Sequence, residues 1–128
     1  MNSHITLGLA VLAGAAIGAA AVQSLHAQAK PPVYYISEID LTNSEAYLKD
    51  YAPRAQALIR ESGGRLVAAG GKTVVFDGEP PKSRVTVTIW DSMEKVQAWR
   101  SSAPFKELRQ TGDKYAKFRS FAVEGISN

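Results

Sequence analysis

The chain contains no cysteine. That excludes disulfides, thiolate metal sites, a cysteine nucleophile and a lipid-anchor cysteine. It leaves the redox compartment open, because a chain without thiols has nothing to oxidise. Histidine is nearly absent too: only His4 and His26 occur. If the first residues are removed, the working protein has none. A histidine triad, a histidine general base and a His-ligated metal or haem are then excluded. Charge is missing from one end. Residues 1–29 carry no Lys, Arg, Asp or Glu, so all 15 basic and 12 acidic residues fall in residues 30–128. The net charge of +3 is too small to imply nucleic acid as a partner.

The uncharged end is a long apolar run. Ile5 to Val22 is built mainly from Ala, Leu, Ile, Val and Gly. Ala27-Gln28-Ala29 follows, with small residues where a signal peptidase reads. The segment reads as a secretory signal over residues 1–29, cleaved after Ala27 or Ala29. The usual leading Lys or Arg is missing. The competing reading is an uncleaved anchor, since the run has about the minimum length for a bilayer. Gly14 and Gly18 even have the spacing of a helix-pairing motif. A run this rich in Ala and Gly inserts weakly, so cleavage is preferred. There is no twin-Arg pair, which favours the general export route. The expected address is the periplasm or the exterior. A membrane partner is expected only if residues 5–22 are retained.

Residues 30–128 form one candidate domain. A chain of that size buries roughly 60–70% of its unfolded surface. Lys30-Pro31-Pro32 is a stiff linker, and Val33 to Asp40 is rich in strand formers. Apolar groups fall on both of its faces, as in a covered strand. Thr42-Asn43-Ser44-Glu45 has the spacing of a capping box. The helix it starts carries Tyr47, Leu48, Tyr51, Ala55, Leu58 and Ile59 as an apolar stripe. Pro53 lacks an amide donor and clashes with the carbonyl of Lys49, so a kink or break is expected there. Gly63-Gly64 stops the helix.

Leu66 to Phe76 reads as a second strand, with Gly70-Gly71 marking a bulge or an edge. Asp77 to Lys82 is a turn. Val85, Val87 and Ile89 alternate with Thr86, Thr88 and Trp90 in a third strand. Asp91-Ser92 caps a short helix, Met93 to Ser101, with Met93, Val96 and Trp99 inward. Ser102 restarts a helix with Pro104 in its first turn, followed by Phe105, Leu108, Gly112 and Tyr115 at helical spacing. Arg119 to Ile126 is the last strand.

The order β-α-β-β-α-β predicts an α+β, ferredoxin-like fold: a four-stranded antiparallel sheet with helices on one face. The other face is expected to carry Thr, Tyr and Trp. Dimerisation through that face would cover it and close a dimeric α/β barrel.

The spacings resemble a known family. They are Gly63-Gly64-Arg65, Gly70-Gly71, Asp77-Gly78, the strand ending at Trp90 before Ser92, Trp99 with Ser102, Arg109, and Val123-Glu124-Gly125. Together they resemble the DUF1330 family, a domain of unknown function, from about Val33 to Ile126. The resemblance implies a homodimeric α+β barrel related in fold to small monooxygenases, isomerases and stress-response barrels. It implies no particular reaction. The chain departs from the family pattern at Asp77, Ala69, Ala103 and Asp91, where Glu, a basic residue, Pro and Pro are usual.

Gly71-Lys72-Thr73 imitates the end of a phosphate loop. Leu66 stands where the first glycine is required, and a strand rather than a helix follows, so no nucleotide site is read there. Tyr35, Tyr51, Trp90 and Trp99, with Arg65 and Arg109, are the candidate lining of a pocket between sheet and helices. Arg109 could hold a carboxylate bidentately, or pair with Glu124 on the surface. Arg65 could instead bond the last carbonyls of the preceding helix. No spacing forces two acids together, so a two-carboxylate mechanism is unsupported. Catalytic residues stay unassigned, and no cofactor and no metal are expected. The preferred reading is a binding module for a small apolar or aromatic acid. The alternatives are a cofactor-independent isomerase or monooxygenase-like enzyme, and a purely structural dimerising protein. Catalysis ranks lower because neither Tyr nor Asp ordinarily titrates near neutrality. Mass analysis of the exported protein should find chains starting at Gln28 or Lys30. Chains retaining residues 5–22 in a membrane fraction would show the anchor reading to be the right one.

Overall fold

A computed structural model describes residues 31–127. The expected signal sequence over residues 1–29 lies outside them. The folded unit spans Pro32–Ile126. Strand β1 (Val33–Leu41) is followed by a helical stretch: α1 (Ser44–Ala46), a π-helical turn (Tyr47–Tyr51) and α2 (Ala52–Ser62). Then come β2 (Arg65–Ala69), β3 (Arg84–Trp90), α3 (Met93–Ser101), α4 (Ala103–Gly112) and β4 (Ala116–Glu124). The four strands pair antiparallel in the order β2-β3-β1-β4. This is the expected ferredoxin-like arrangement.

Burial alternates along β1: Val33, Tyr35, Ser37 and Ile39 are buried, and the residues between them are half-buried. Register carries that phase to the neighbours. Val33 faces Trp90, Tyr35 faces Thr88, Ser37 faces Thr86 and Ile39 faces Arg84. Thr88 and Trp90 therefore point at the helices and are almost fully buried. The expected phase of β3 is thus corrected. The open face carries Val85, Val87 and Ile89, beside Tyr34 and Ile36 of β1 and Phe121 and Val123 of β4. The reason is size. The indole of Trp90 fills the space under the helix stop, where a side chain on Gly64 would come within 2.6 Å of it.

The first helix starts one residue later than the capping box predicts. Asn43 is the cap, and its Oδ1 accepts the amide of Ala46 at 3.1 Å. Pro53 does not end the helical stretch, which runs on to Ser62. The turn before it widens, and the amide of Ala52 donates to the carbonyl of Tyr47. A π turn of this kind absorbs the clash that proline would cause in a tighter ladder. Gly63 ends the helix at φ 105°, with the amides of Gly63 and Gly64 returning to Arg60 and Ile59. Ser102 caps α4 as expected, accepting from the amide of Phe105.

β2 is shorter than predicted and ends at Ala69. Gly70 turns the chain at φ 76°, and residues 71–80 are exposed. β4 begins earlier than predicted, at Ala116. Among the described residues no helix is long and apolar enough to cross a membrane.

Gly112 is buried where α4 crosses the π turn, and an added Cβ would lie 2.6 Å from the ring of Tyr51. Helix propensity favours alanine by about 1 kcal/mol. Overpacking a core costs about 1–3 kcal/mol. The clash should win, because the ring of Tyr51 is itself packed between Tyr47 and Phe118. Gly112→Ala should lower the denaturant midpoint at unchanged slope. A variant more stable than the parent would contradict this packing.

Candidate functional site

Between the inward sheet face and the helices lies a cavity of about 50 Å³. Its floor is Ser37 and Ile39 of β1 with Thr86 and Thr88 of β3. The π turn supplies Tyr47 and Tyr51, with ring centres 5.1 Å apart. α4 supplies Phe105, Leu108 and Arg109.

Two guanidinium groups reach this space. Arg84 opens β3 abreast of Ile39, and its head lies 5.5 Å from the ring centre of Tyr47. Arg109 comes down from α4 onto Phe118, with its carbon 3.7 Å from that ring centre. Phe118 is the β4 partner of Ile39. The two heads therefore flank Ile39 from opposite sides. Arg109 Nε donates to the hydroxyl of Tyr51 at 3.3 Å. Gly70 makes room for Arg84, since a Cβ there would sit 2.2 Å from its Nη1.

The cavity lining is cationic, while Asp113, outside the lining, acts on Tyr51 less than Arg109 does. Among the described residues no Asp or Glu lines the cavity, and neither Arg84 nor Arg109 forms an ion pair. The Nε of Arg84 is buried with no hydrogen-bond partner in the protein, and so is the Nε1 of Trp99. Buried donors without acceptors are uncommon and call for a reason. Burial pushes the Tyr47 phenol up to about 12, and nearby Tyr51 adds to the rise while Arg84 and Arg109 oppose it. Burial also raises Tyr51, against the pull of Arg109. At neutral pH both phenols keep their protons. They can donate hydrogen bonds and are poor bases.

Four of the six candidates meet here: Tyr35, Tyr51, Trp99 and Arg109 line the cavity. Trp90 stands behind the wall, stacked on Trp99 at 4.8 Å and donating from Nε1 to Thr88 at 2.8 Å. Arg65 is exposed and pairs in register with Ile89, on the open face. The surface pairing of Arg109 with Glu124 gives way to its bond with Tyr51. The residues that sequence reasoning missed are Arg84 and Tyr47. The signal for Arg84 was the alternation itself: with Trp90 inward, Arg84 must be inward too.

Residues 32–126 match the family described as a domain of unknown function, DUF1330. The chain belongs to the DUF1330 family. Solved structures share the fold. The RPA0582 protein of unknown function from Rhodopseudomonas palustris shares 14% identity over 77% of this chain and 85% of that one, with a TM-score of 0.62. SnoaB, a cofactor-independent oxygenase from Streptomyces nogalater, shares 11% identity over 77% of this chain and 96% of that one, with a TM-score of 0.57. At such identities the likeness is one of fold. No curated protein matches the chain.

The Tyr47 phenol gives a test. The folded DUF1330 domain holds this proton more tightly than the unfolded chain does, where the phenol titrates near 10. Its contribution to stability is therefore whole below pH 10 and is lost as pH rises toward about 12. Ultraviolet titration should find a late-ionising phenol that Tyr47→Phe removes. A Tyr47→Phe titration curve missing an ordinary step instead would contradict its burial.

Proposed function

We propose that this DUF1330 protein is an exported homodimer that binds a small apolar or aromatic acid. The observation that carries the reading is the pair Arg84 and Arg109 in a cavity without a carboxylate. Two cations there are left without a counter-charge, and partial burial raises the cost of leaving them so. An acid supplies the missing charge. Guanidinium forks suit a carboxylate in two-point contact. The rest of the wall, with Ile39, Phe105, Leu108 and Phe118, suits an apolar body.

Catalysis ranks second. SnoaB is a cofactor-independent oxygenase, and an isomerase or oxygenase on this fold would need a group that moves a proton. The cavity offers phenols held protonated and no carboxylate. The purely structural reading ranks third, because a packed interior would not leave a cavity edged with guanidinium groups.

The open sheet face supports the dimer. Val85, Val87, Ile89 and Ile36 are half-buried, and Phe121 and Val123 are 44% and 49% exposed. Ion pairing is confined to Glu38 with Arg119 on this face among the described residues. A surface so apolar is normally covered, and a second copy offers the matching surface. Export rests on the sequence of residues 1–29.

Native mass spectrometry of protein recovered from its own exported fraction tests both parts. Dimers releasing an organic acid on denaturation are expected. Dimers releasing a neutral or cationic molecule would contradict the anion site. Phe121→Glu should turn the dimer into a folded monomer. If that variant dimerises as the parent does, the open face is not the interface.

A further inference from the structure

We infer that residues 71–76 form an arm that adds itself, as an extra strand, to the outer edge of β4 in a second copy of this chain. This rests on the homodimer reading above and says how the two copies hold each other. It starts from a stretch that the sequence marks as strand and a single copy leaves without a partner. Thr73-Val74-Val75-Phe76 is a run of strand formers. Residues 71–76 run straight, with neither turn nor bend, and all are exposed. Val74 is 62% exposed and Phe76 88%. Among the described residues, 71–81 make no backbone-to-backbone hydrogen bond.

The hairpin cannot close on itself. The chain turns at Gly78, with φ 75°, and comes back through Glu79-Pro80-Pro81. A returning strand would ordinarily pair with the outgoing one, but two successive prolines supply no amide donors. A free run of uncharged strand formers is also a hazard, because it templates pairing with other chains. A second copy offers what is missing. The sheet order β2-β3-β1-β4 leaves the outer edge of β4 unpaired over its nine residues, Ala116–Glu124, among the described residues. The other free edge, on β2, has five, and β2 is the strand from which the arm springs. Let the open faces pack with the two-fold axis running along the strands. The β2 side of one copy then lies over the β4 side of the other. Packed sheets lie about 10 Å apart, and six extended residues reach about 20 Å, so the arm spans the gap. Side chains alternate along it, so Val74 and Phe76 share a side. Laid beside β4, that side continues the apolar stripe of Phe121 and Val123. Each copy gives one arm and offers one edge, so the exchange closes at the dimer.

Hydrogen exchange on the protein tests this first. The amides of residues 73–76 should be protected where the dimer is fully formed and lose that protection on dilution to monomer. Phe76→Asp, at an exposed side chain, should fold as the parent does and weaken the dimer by about tenfold or more. If that variant fails to fold, exchange on the parent still decides. A mixed dimer locates the edge, and the chain has no cysteine to interfere. A nitroxide on Thr73→Cys of one copy should broaden the β4 amide signals of a nitrogen-15-labelled partner most strongly. Fast exchange of these amides in the dimer, a Phe76→Asp dimer as tight as the parent, or broadening strongest at β2 would overturn the inference and leave the homodimer standing. A parent protein that stays monomeric at millimolar concentration would remove the homodimer and the inference with it.

Discussion

The phase of strand β3 is the constraint on which the site depends. Side chains alternate strictly along a strand, so one inward residue fixes every second one. Trp90 is inward and 1% exposed, locked over Trp99 and under Gly64. An aromatic side chain of this size removes on the order of 200 Å² from water. At about 25 cal/mol per Å² that is roughly 5 kcal/mol. A one-residue slip would forfeit it. The same phase then carries Thr88, Thr86 and Arg84 to the inward face. The cavity's cation is a consequence of where the tryptophan packs. The aliphatic residues Val85, Val87 and Ile89 are sent outward by the same rule, which is why the open face is apolar.

The second determinant is the π turn ahead of Pro53. It keeps the helix continuous while the proline is accommodated. It also holds Tyr47 and Tyr51 side by side above the sheet. Gly112 lets α4 come close enough for Arg109 to reach the Tyr51 hydroxyl. Three local features of the sequence, a proline, a glycine and an arginine, thus converge on one pair of phenols. Those phenols stay neutral because they are buried, and they leave the guanidinium groups without a counter-charge.

Much of the fold was legible. Gly63-Gly64, Ser102 and Pro104 act through backbone geometry that depends on near neighbours, so they were read correctly. So was the family, whose spacings run the length of the domain. The site was half legible. Tyr35, Tyr51, Trp99 and Arg109 are large groups on amphipathic elements, and they do line the cavity. Arg84 was missed because both faces of β3 are rich in strand formers, so alternation points to it only once Trp90 is known to face inward. Trp90 was expected on the open face for the same reason. The approach of the Arg84 guanidinium to Gly70 is a contact between distant parts of the chain that local reading cannot supply.

Isothermal titration of the protein with benzoate, benzamide and benzylamine tests the central claim directly. The three share one ring and differ in charge. The proposal predicts uptake of benzoate, and not of the amide or the amine, with affinity that falls as salt rises. Benzamide binding as tightly as benzoate, or benzylamine binding more tightly, would contradict an anion site between Arg84 and Arg109.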